Sequence, residues 1–151
     1  MNNVSMNLSE HFSLAEMCKT SANLDNVPNE AQVENLKRLC GWLEMLRSEW
    51  NKRYGEGNDP IIINSGFRSE AVNKAVGGVK GSNHLSGCAA DIRVAGIEQL
   101  VRYATILLDI SDESQEDFDE LLLERSPKGN YWLHFAVRPS GNRRKVRLIQ
   151  T

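Results

Sequence analysis

Two histidines and an aspartate, set far apart along the chain, constrain its fold more than any other feature. His84 and Asp91 lie in Ser82-Asn83-His84-Leu85-Ser86-Gly87-Cys88-Ala89-Ala90-Asp91, and His134 follows much later in Trp132-Leu133-His134. The chain has only three histidines, so two in such settings are informative. Two imidazoles and one carboxylate are a donor set that a catalytic zinc ion accepts, with water in the fourth position of the tetrahedron. The three donors meet only if the strands carrying Asp91 and His134 lie side by side, with the loop bearing His84 against them. Gly87 lets the backbone turn sharply before the first of those strands. Ala89 and Ala90 keep the surroundings small.

Periodicity supports such an arrangement. Cys88, Ala90, Ile92 and Val94 point one way and Ala89, Asp91 and Arg93 the other, so Asp91 leaves the apolar face. Tyr131 to Val137 reads as a second strand, with Trp132 and Ala136 on the face of His134. Leu121 to Glu124 reads as a third, joined to it through a hairpin at Ser126–Asn130. Ile61–Ile63 is a short β-branched strand, and Val146–Ile149 is a last, edge strand. Val33, Leu36, Leu39, Cys40, Leu43, Leu46 and Trp50 form one helical stripe, from Asn29 to about Tyr54. Ile97, Leu100, Val101, Ala104, Leu107 and Leu108 mark another. Ser13, with Glu16 three residues on, caps a short first helix, and Glu70 to Val76 is a short helix. Ser111 to Asp119 is expected to be an acidic, solvated loop. The expected fold class is α+β, a small, mainly antiparallel sheet flanked by helices.

At 151 residues the chain is long enough for one ordinary core. Residues 11–151 are expected to form a single domain, with 1–10 a disordered or extended N-terminus. Hydrophobic residues make up 40% and charged residues 25%, the balance of a soluble globular protein. The net charge of -2 gives no broad pull toward nucleic acid. Arg138, Arg143, Arg144, Lys145 and Arg147 read as a solvated strand or terminus. Three cysteines without close pairing are no disulfide framework, and Cys88 reads as a small packing residue. No apolar run approaches a membrane span. Met1 to Glu10 has no apolar centre, so no signal peptide is expected. His11 reads as a structural residue leading into the first helix.

Four blocks, in order, resemble the zinc D-alanyl-D-alanine carboxypeptidase family, in its compact phage and bacterial branch. They are His11-Phe12-Ser13-Leu14-Ala15-Glu16-Met17; Asn64-Ser65-Gly66-Phe67-Arg68-Ser69 with Asn73-Lys74-Ala75-Val76-Gly77-Gly78; Ser82 through Ile92; and Trp132-Leu133-His134-Phe135-Ala136. The resemblance implies the fold shared with the hedgehog signalling domain. It implies Zn2+ held by His84, Asp91 and His134, and hydrolysis of peptide bonds in the peptidoglycan stem, by a carboxypeptidase or a related endopeptidase. Zinc would lower the pKa of its bound water to about 7 and polarise the scissile carbonyl.

The resemblance also sets Arg68 toward the substrate, where its planar fork suits a carboxylate or developing negative charge. Ser82 is a candidate to bond the substrate and Ser65 a weaker one; turn or capping roles fit both equally. Several relatives place a glutamate three residues before the last histidine, where this chain has Tyr131. Glu124 is the substitute candidate for general base, since a hairpin pairing would set it opposite or next to His134; a strand-end glutamate is the competing reading. Tyr131 is a weaker candidate to donate to the oxyanion. The expected partner is a peptidoglycan stem peptide, met by a monomer with no membrane span and no nucleic acid. Cytoplasmic synthesis is expected, with action on the cell wall after holin-type release if the chain is phage-encoded. The rival expectation is an inactive peptidoglycan-binding or interaction module that keeps the fold and perhaps the metal.

Overall fold

Asn29 starts the longest element of the chain. Its side chain accepts from Gln32 N and the Gln32 side chain accepts from Asn29 N, so the cap closes reciprocally. The helix that follows, α2 (Glu30–Arg53), buries Leu36, Leu39, Cys40, Trp42, Leu43, Leu46 and Trp50. Before it, Ser13 caps the four-residue α1 (Leu14–Met17), accepting from Glu16 N at 3.1 Å. The computed structural model describes residues 6–151; the expectation of a disordered or extended N-terminus falls partly on residues 1–5, outside the described residues. Met6 to Glu10 is tied down. Leu8 is buried, Leu8 N donates to Phe12 O, and Leu14 N donates to Met6 O. The His11 ring meets Glu44 of α2 at 2.7 Å, the structural role expected of it.

Five strands form one sheet in the order β1-β2-β4-β3-β5: β1 (Ile63–Ser65), β2 (Ala89–Arg93), β3 (Glu120–Arg125), β4 (Tyr131–Ala136) and β5 (Lys145–Gln150). Three pairings are antiparallel and β3–β5 is parallel. The sheet is therefore mixed, which the sequence pattern does not reveal. The connection from β4 stays at the end of the sheet where β3 begins, and Lys145 N donates to Asp119 O at 2.9 Å. β5 thus starts beside the start of β3 and runs with it. β5 is the expected edge strand.

The connection from β1 to β2 carries two short helices, α3 (Glu70–Ala75) and a 3₁₀ turn (Asn83–Ser86). The second long helix, α4 (Ile97–Ser114), continues past the point where an acidic loop was expected, burying Ile110 and Ser111. Phe118 and Asp119 are fully buried. The acidic residues from Asp112 to Asp117 are exposed as expected, but the helix runs on to Ser114 and the ends of the segment, Ser111, Phe118 and Asp119, are buried because Ile110 and Phe118 anchor it to the core.

One face of the sheet supplies Ala90, Ile92, Leu121, Leu133 and Phe135 to a core shared with α2 and α4. Strand alternation then sends Asp91, Trp132, His134, Glu120, Leu122 and Glu124 to the opposite face. The segment from β1 to β2 brings Arg68 and His84 to this second face, its 3₁₀ turn bonded at one side to Gln32 and Asn35 of α2.

Candidate metal centre

The register between β2 and β4 sets Asp91 directly opposite His134. One Asp91 oxygen, Oδ1, lies 3.1 Å from His134 Nδ1, and the other, Oδ2, lies 3.4 Å from His84 Nε2. One donor atom from each of the three residues falls within 4.8 Å of the other two, a group that could hold a metal ion. Bonds of 2.0–2.1 Å in a tetrahedron put donors roughly 3.3 Å apart, and the two short separations here are of that size. All three side chains are largely shielded from water, His84 at 3% exposed and Asp91 at 15%.

His84 is oriented by backbone. Its Nδ1 lies 2.6 Å from the Gly66 carbonyl. A carbonyl only accepts, so Nδ1 carries the proton and Nε2 offers a lone pair. In return Arg68 N donates to His84 O at 3.0 Å, and Phe67 N donates to Met17 O at 2.8 Å. Asn26 joins this brace by donating to Phe67 O and accepting from Ser69 N. A β carbon on Gly66 would run into the Met17 carbonyl oxygen, so a side chain there would push the brace away from His84.

A bulge at Asn64 changes which residues share the open face. Ile63 pairs with Ile92 toward the core, while Ser65, two residues on, pairs with Asp91. Ser65 Oγ thereby accepts from Arg68 Nε at 3.0 Å. Arg68 Nη2 meets Asp91 Oδ2 at 3.1 Å, and Nη1 meets Asn73 Oδ1 at 3.3 Å. Arg68 is thus spread over three partners, one of them the central carboxylate. Ser65 bonds Arg68, and Ser82 caps the 3₁₀ turn, its Oγ accepting from His84 N at 3.2 Å. Of the residues singled out in the sequence, Arg68, Ser65, His84, Asp91 and His134 meet directly.

Glu124 stands across from Trp132, and Leu122 across from His134. Glu124 is therefore a diagonal neighbour of His134 on the same face, and its Oε2 accepts from the Trp132 indole at 3.1 Å. Tyr131 falls on the core face and packs against the apolar cluster. That removes it as an oxyanion donor, because a residue three positions from His134 in a strand faces the opposite way.

The electrostatics follow from these contacts. Burial pushes Asp91 up, but hydrogen bonds from His134 and His84 outweigh it and hold the carboxyl well below its usual range. Burial lowers His134, yet its bonds to Asp91 and Glu120 raise it to about 9. The bond to His134 leads in lowering Glu120 to about 2. Burial raises Glu124, only partly offset by the charge of His134. Arg68 and a protonated His134 supply the positive charge among these carboxylates, a charge that a divalent cation would supply in place of the proton.

The chain matches the Peptidase M15 family over residues 10–111. That span, about two thirds of the chain, holds Arg68, His84 and Asp91 and stops short of the strands that carry Glu120, Glu124 and His134. The chain belongs to the Peptidase M15 family. It is also similar to the zinc D-Ala-D-Ala carboxypeptidase of Streptomyces albus G, 48% identical over 40 residues. That stretch is 26% of this chain and 16% of the relative, so the chain matches about a sixth of that protein's length. Among the described residues of this Peptidase M15 chain, no helix is long and apolar enough to cross a membrane.

Sequence reasoning missed two acidic residues beside this cluster. Glu120 Oε1 lies 3.0 Å from His134 Nε2 and 2.7 Å from Asn83 Nδ2. Asp119, fully buried, accepts from both Nε and Nη2 of Arg143, from Asn83, and meets Arg138 Nε at 3.1 Å. Arg138 and Arg143, read from sequence as solvated, stay partly exposed but are anchored by it. A signal was available: Phe118-Asp119-Glu120-Leu121 leads into the strand that pairs with the strand of His134, and alternation from Glu124 reaches Glu120 after two steps.

Proposed function

We propose that the chain is a zinc-dependent peptidase that hydrolyses peptide bonds in peptidoglycan stem peptides. The observation that carries this is the convergence of His84 Nε2, Asp91 and His134 Nδ1 on one face of the sheet, with Arg68 bonded to the same aspartate. The residues fit the ion: two neutral-capable imidazoles and one carboxylate, spaced as tetrahedral donors and braced by Gly66 and Arg68. Bound there, zinc would activate a water and polarise the scissile carbonyl. Membership of a peptidase family and the partial likeness to a zinc D-Ala-D-Ala carboxypeptidase support the reading.

The chain's own residues divide the remaining work. Glu124 Oε1, left free by the Trp132 indole, takes the proton of the attacking water and delivers it to the leaving amine. Burial raises its pKa, the direction that suits a group that must accept a proton and then release it. Arg68 keeps Asp91 oriented and sets positive charge beside the carbonyl oxygen as negative charge develops there. Ser82, which caps the turn that carries His84, lines a groove with Leu85, Ser86, Cys88, Arg138 and Pro139, a mixed apolar and polar surface that suits an extended peptide. All of these groups come from one chain, so a monomer suffices.

Zinc content and cleavage of synthetic stem peptides, with and without a terminal D-Ala-D-Ala, test the proposal against His84→Ala. Stoichiometric zinc and metal-dependent cleavage, both lost in the variant, are expected. Release of a single D-alanine marks a carboxypeptidase, and internal cleavage an endopeptidase. The Tyr131 departure from relatives favours one rival, a binding module. Stem-peptide binding without turnover, unchanged by Glu124→Gln, would select that rival. A folded protein that takes up no zinc would overturn the proposal.

A further inference from the structure

We propose that Glu120 is a positioning residue of the centre, fixing the His134 ring and, through Asn83, the turn that carries His84 with a single carboxylate oxygen. The inference rests on the zinc reading above and concerns a residue beyond the span of the family match. Glu120 stands across β4 from Ala136. That small side chain leaves the carboxylate room to lean along the sheet toward His134. Glu124, on the other diagonal, faces Trp132 and is taken by its indole. The residue opposite each glutamate thus decides its role: beside alanine the carboxylate grips the histidine, and beside tryptophan it is turned aside with one oxygen free.

The grip works on one imidazole and on the turn that carries the other. Glu120 Oε1 accepts from His134 Nε2 at 3.0 Å, which directs Nδ1 of the same ring at Asp91. The same oxygen accepts from Asn83 Nδ2 at 2.7 Å. Asn83 immediately precedes His84 in the 3₁₀ turn. Its amide cannot flip, because Oδ1 accepts from Arg138 Nε at 3.0 Å and Nδ2 also donates to buried Asp119. One oxygen therefore ties the ring of His134 to the turn that carries His84. Carboxylate partners of metal-binding histidines fix the tautomer and ring direction, and removing one typically weakens metal affinity 10–100-fold. The required contact here is an acceptor at one point, so reach matters more than charge.

The test compares zinc affinity, by competition with a chromophoric chelator, for the full chain and for Glu120→Gln, Glu120→Asp and Glu120→Ala. The visible spectrum of the cobalt-substituted protein supplies a second readout that turnover does not enter. Glutamine keeps an acceptor in the same place and is expected to stay within about tenfold of the parent. Aspartate keeps the charge but falls short of Nε2, and alanine lacks the acceptor; both are expected to weaken binding about 10–100-fold and to alter the cobalt bands. If the alanine variant does not fold, the order of glutamine over aspartate still decides. Affinities and spectra unchanged in all variants would overturn the proposal, as would aspartate matching the parent while glutamine fails, since that order would mark a charge effect. A parent protein that binds neither ion would instead sink the zinc reading itself, and this inference with it.

Discussion

At the scale of single residues, two glutamates flanking one histidine separate into different tasks. Glu124 is held by one neutral donor and pushed upward by burial; Glu120 is held by His134 and Asn83. A general base contributes typically 10²–10⁴-fold, so Glu124→Gln is expected to lower kcat by about that factor while zinc content stays at the parent level. Metal analysis beside steady-state kinetics checks both halves. The pH dependence follows from the direction of the shift. Catalysis needs ionised Glu124, so the rate should rise with pH through a value above the ordinary carboxylate range, and this acid limb should vanish from the residual activity of the glutamine variant. A limb that survives unchanged assigns it to another group. Trp132→Phe, which removes the indole donor without removing the ring, tests the contact from its other side. It should shift the acid limb further upward, because a hydrogen bond that stabilises the charged carboxylate is gone.

At the scale of elements, the 3₁₀ turn and its glycine decide where His84 sits. Gly87 ends the turn at φ +77°, and a β carbon there would lie 2.6 Å from the Gln32 carbonyl oxygen of α2. Gly87→Ala is expected to cost about 2 kcal/mol or more, combining the left-handed penalty with overpacking against backbone. Denaturant titration measures that loss, and weakened zinc binding should accompany it because the turn shifts with His84. Elements are also where sequence reading succeeds and fails most clearly. The alternation Cys88-Ala89-Ala90-Asp91-Ile92 requires Asp91 to leave the core face, and the structure pairs it with His134. The stripe from Val33 to Trp50 likewise comes straight from residue spacing. The bulge at Asn64 has no such signature: parity alone would put Ser65 on the core side with Ile63. Asp119 and Glu120 were hidden for a related reason. Their acidic neighbours suggested solvent, while burial and pairing were set by Phe118 and by arginines that lie far ahead in the chain. The parallel start of β5 depends on the same ion pairs, which no local pattern encodes.

At the scale of the whole molecule, the arginines that follow β4 close the structure around one buried carboxylate. Asp119 has no exposed side-chain surface, and Arg138 and Arg143 reach it from the connection that leads to β5. Burial alone would raise its pKa; the hydrogen bonds from Arg143 and Asn83 overcome this and lower it to about 2. The unfolded value is about 3.9. A folded pKa below the unfolded one means that the stabilisation is complete above the unfolded value and is lost as pH falls through the folded one. The window for this group therefore runs from about pH 4 down to about pH 2. Asp119→Asn should remove that contribution at neutral pH. Breaking a fully buried pair typically costs 3–5 kcal/mol; because both arginines are partly exposed, about 2–3 kcal/mol is expected here. The variant should also lose part of the steepness with which stability falls between pH 4 and pH 2, Glu120 and Asp91 supplying what remains. Denaturation midpoints of both proteins, measured in steps across that window on metal-free samples, separate the two effects. Equal midpoints at neutral pH would mean that the arginines find other partners. A parallel fall of both curves would mean that Asp119 titrates alike in the folded and unfolded chain, so that β5 is held in register by backbone pairing alone.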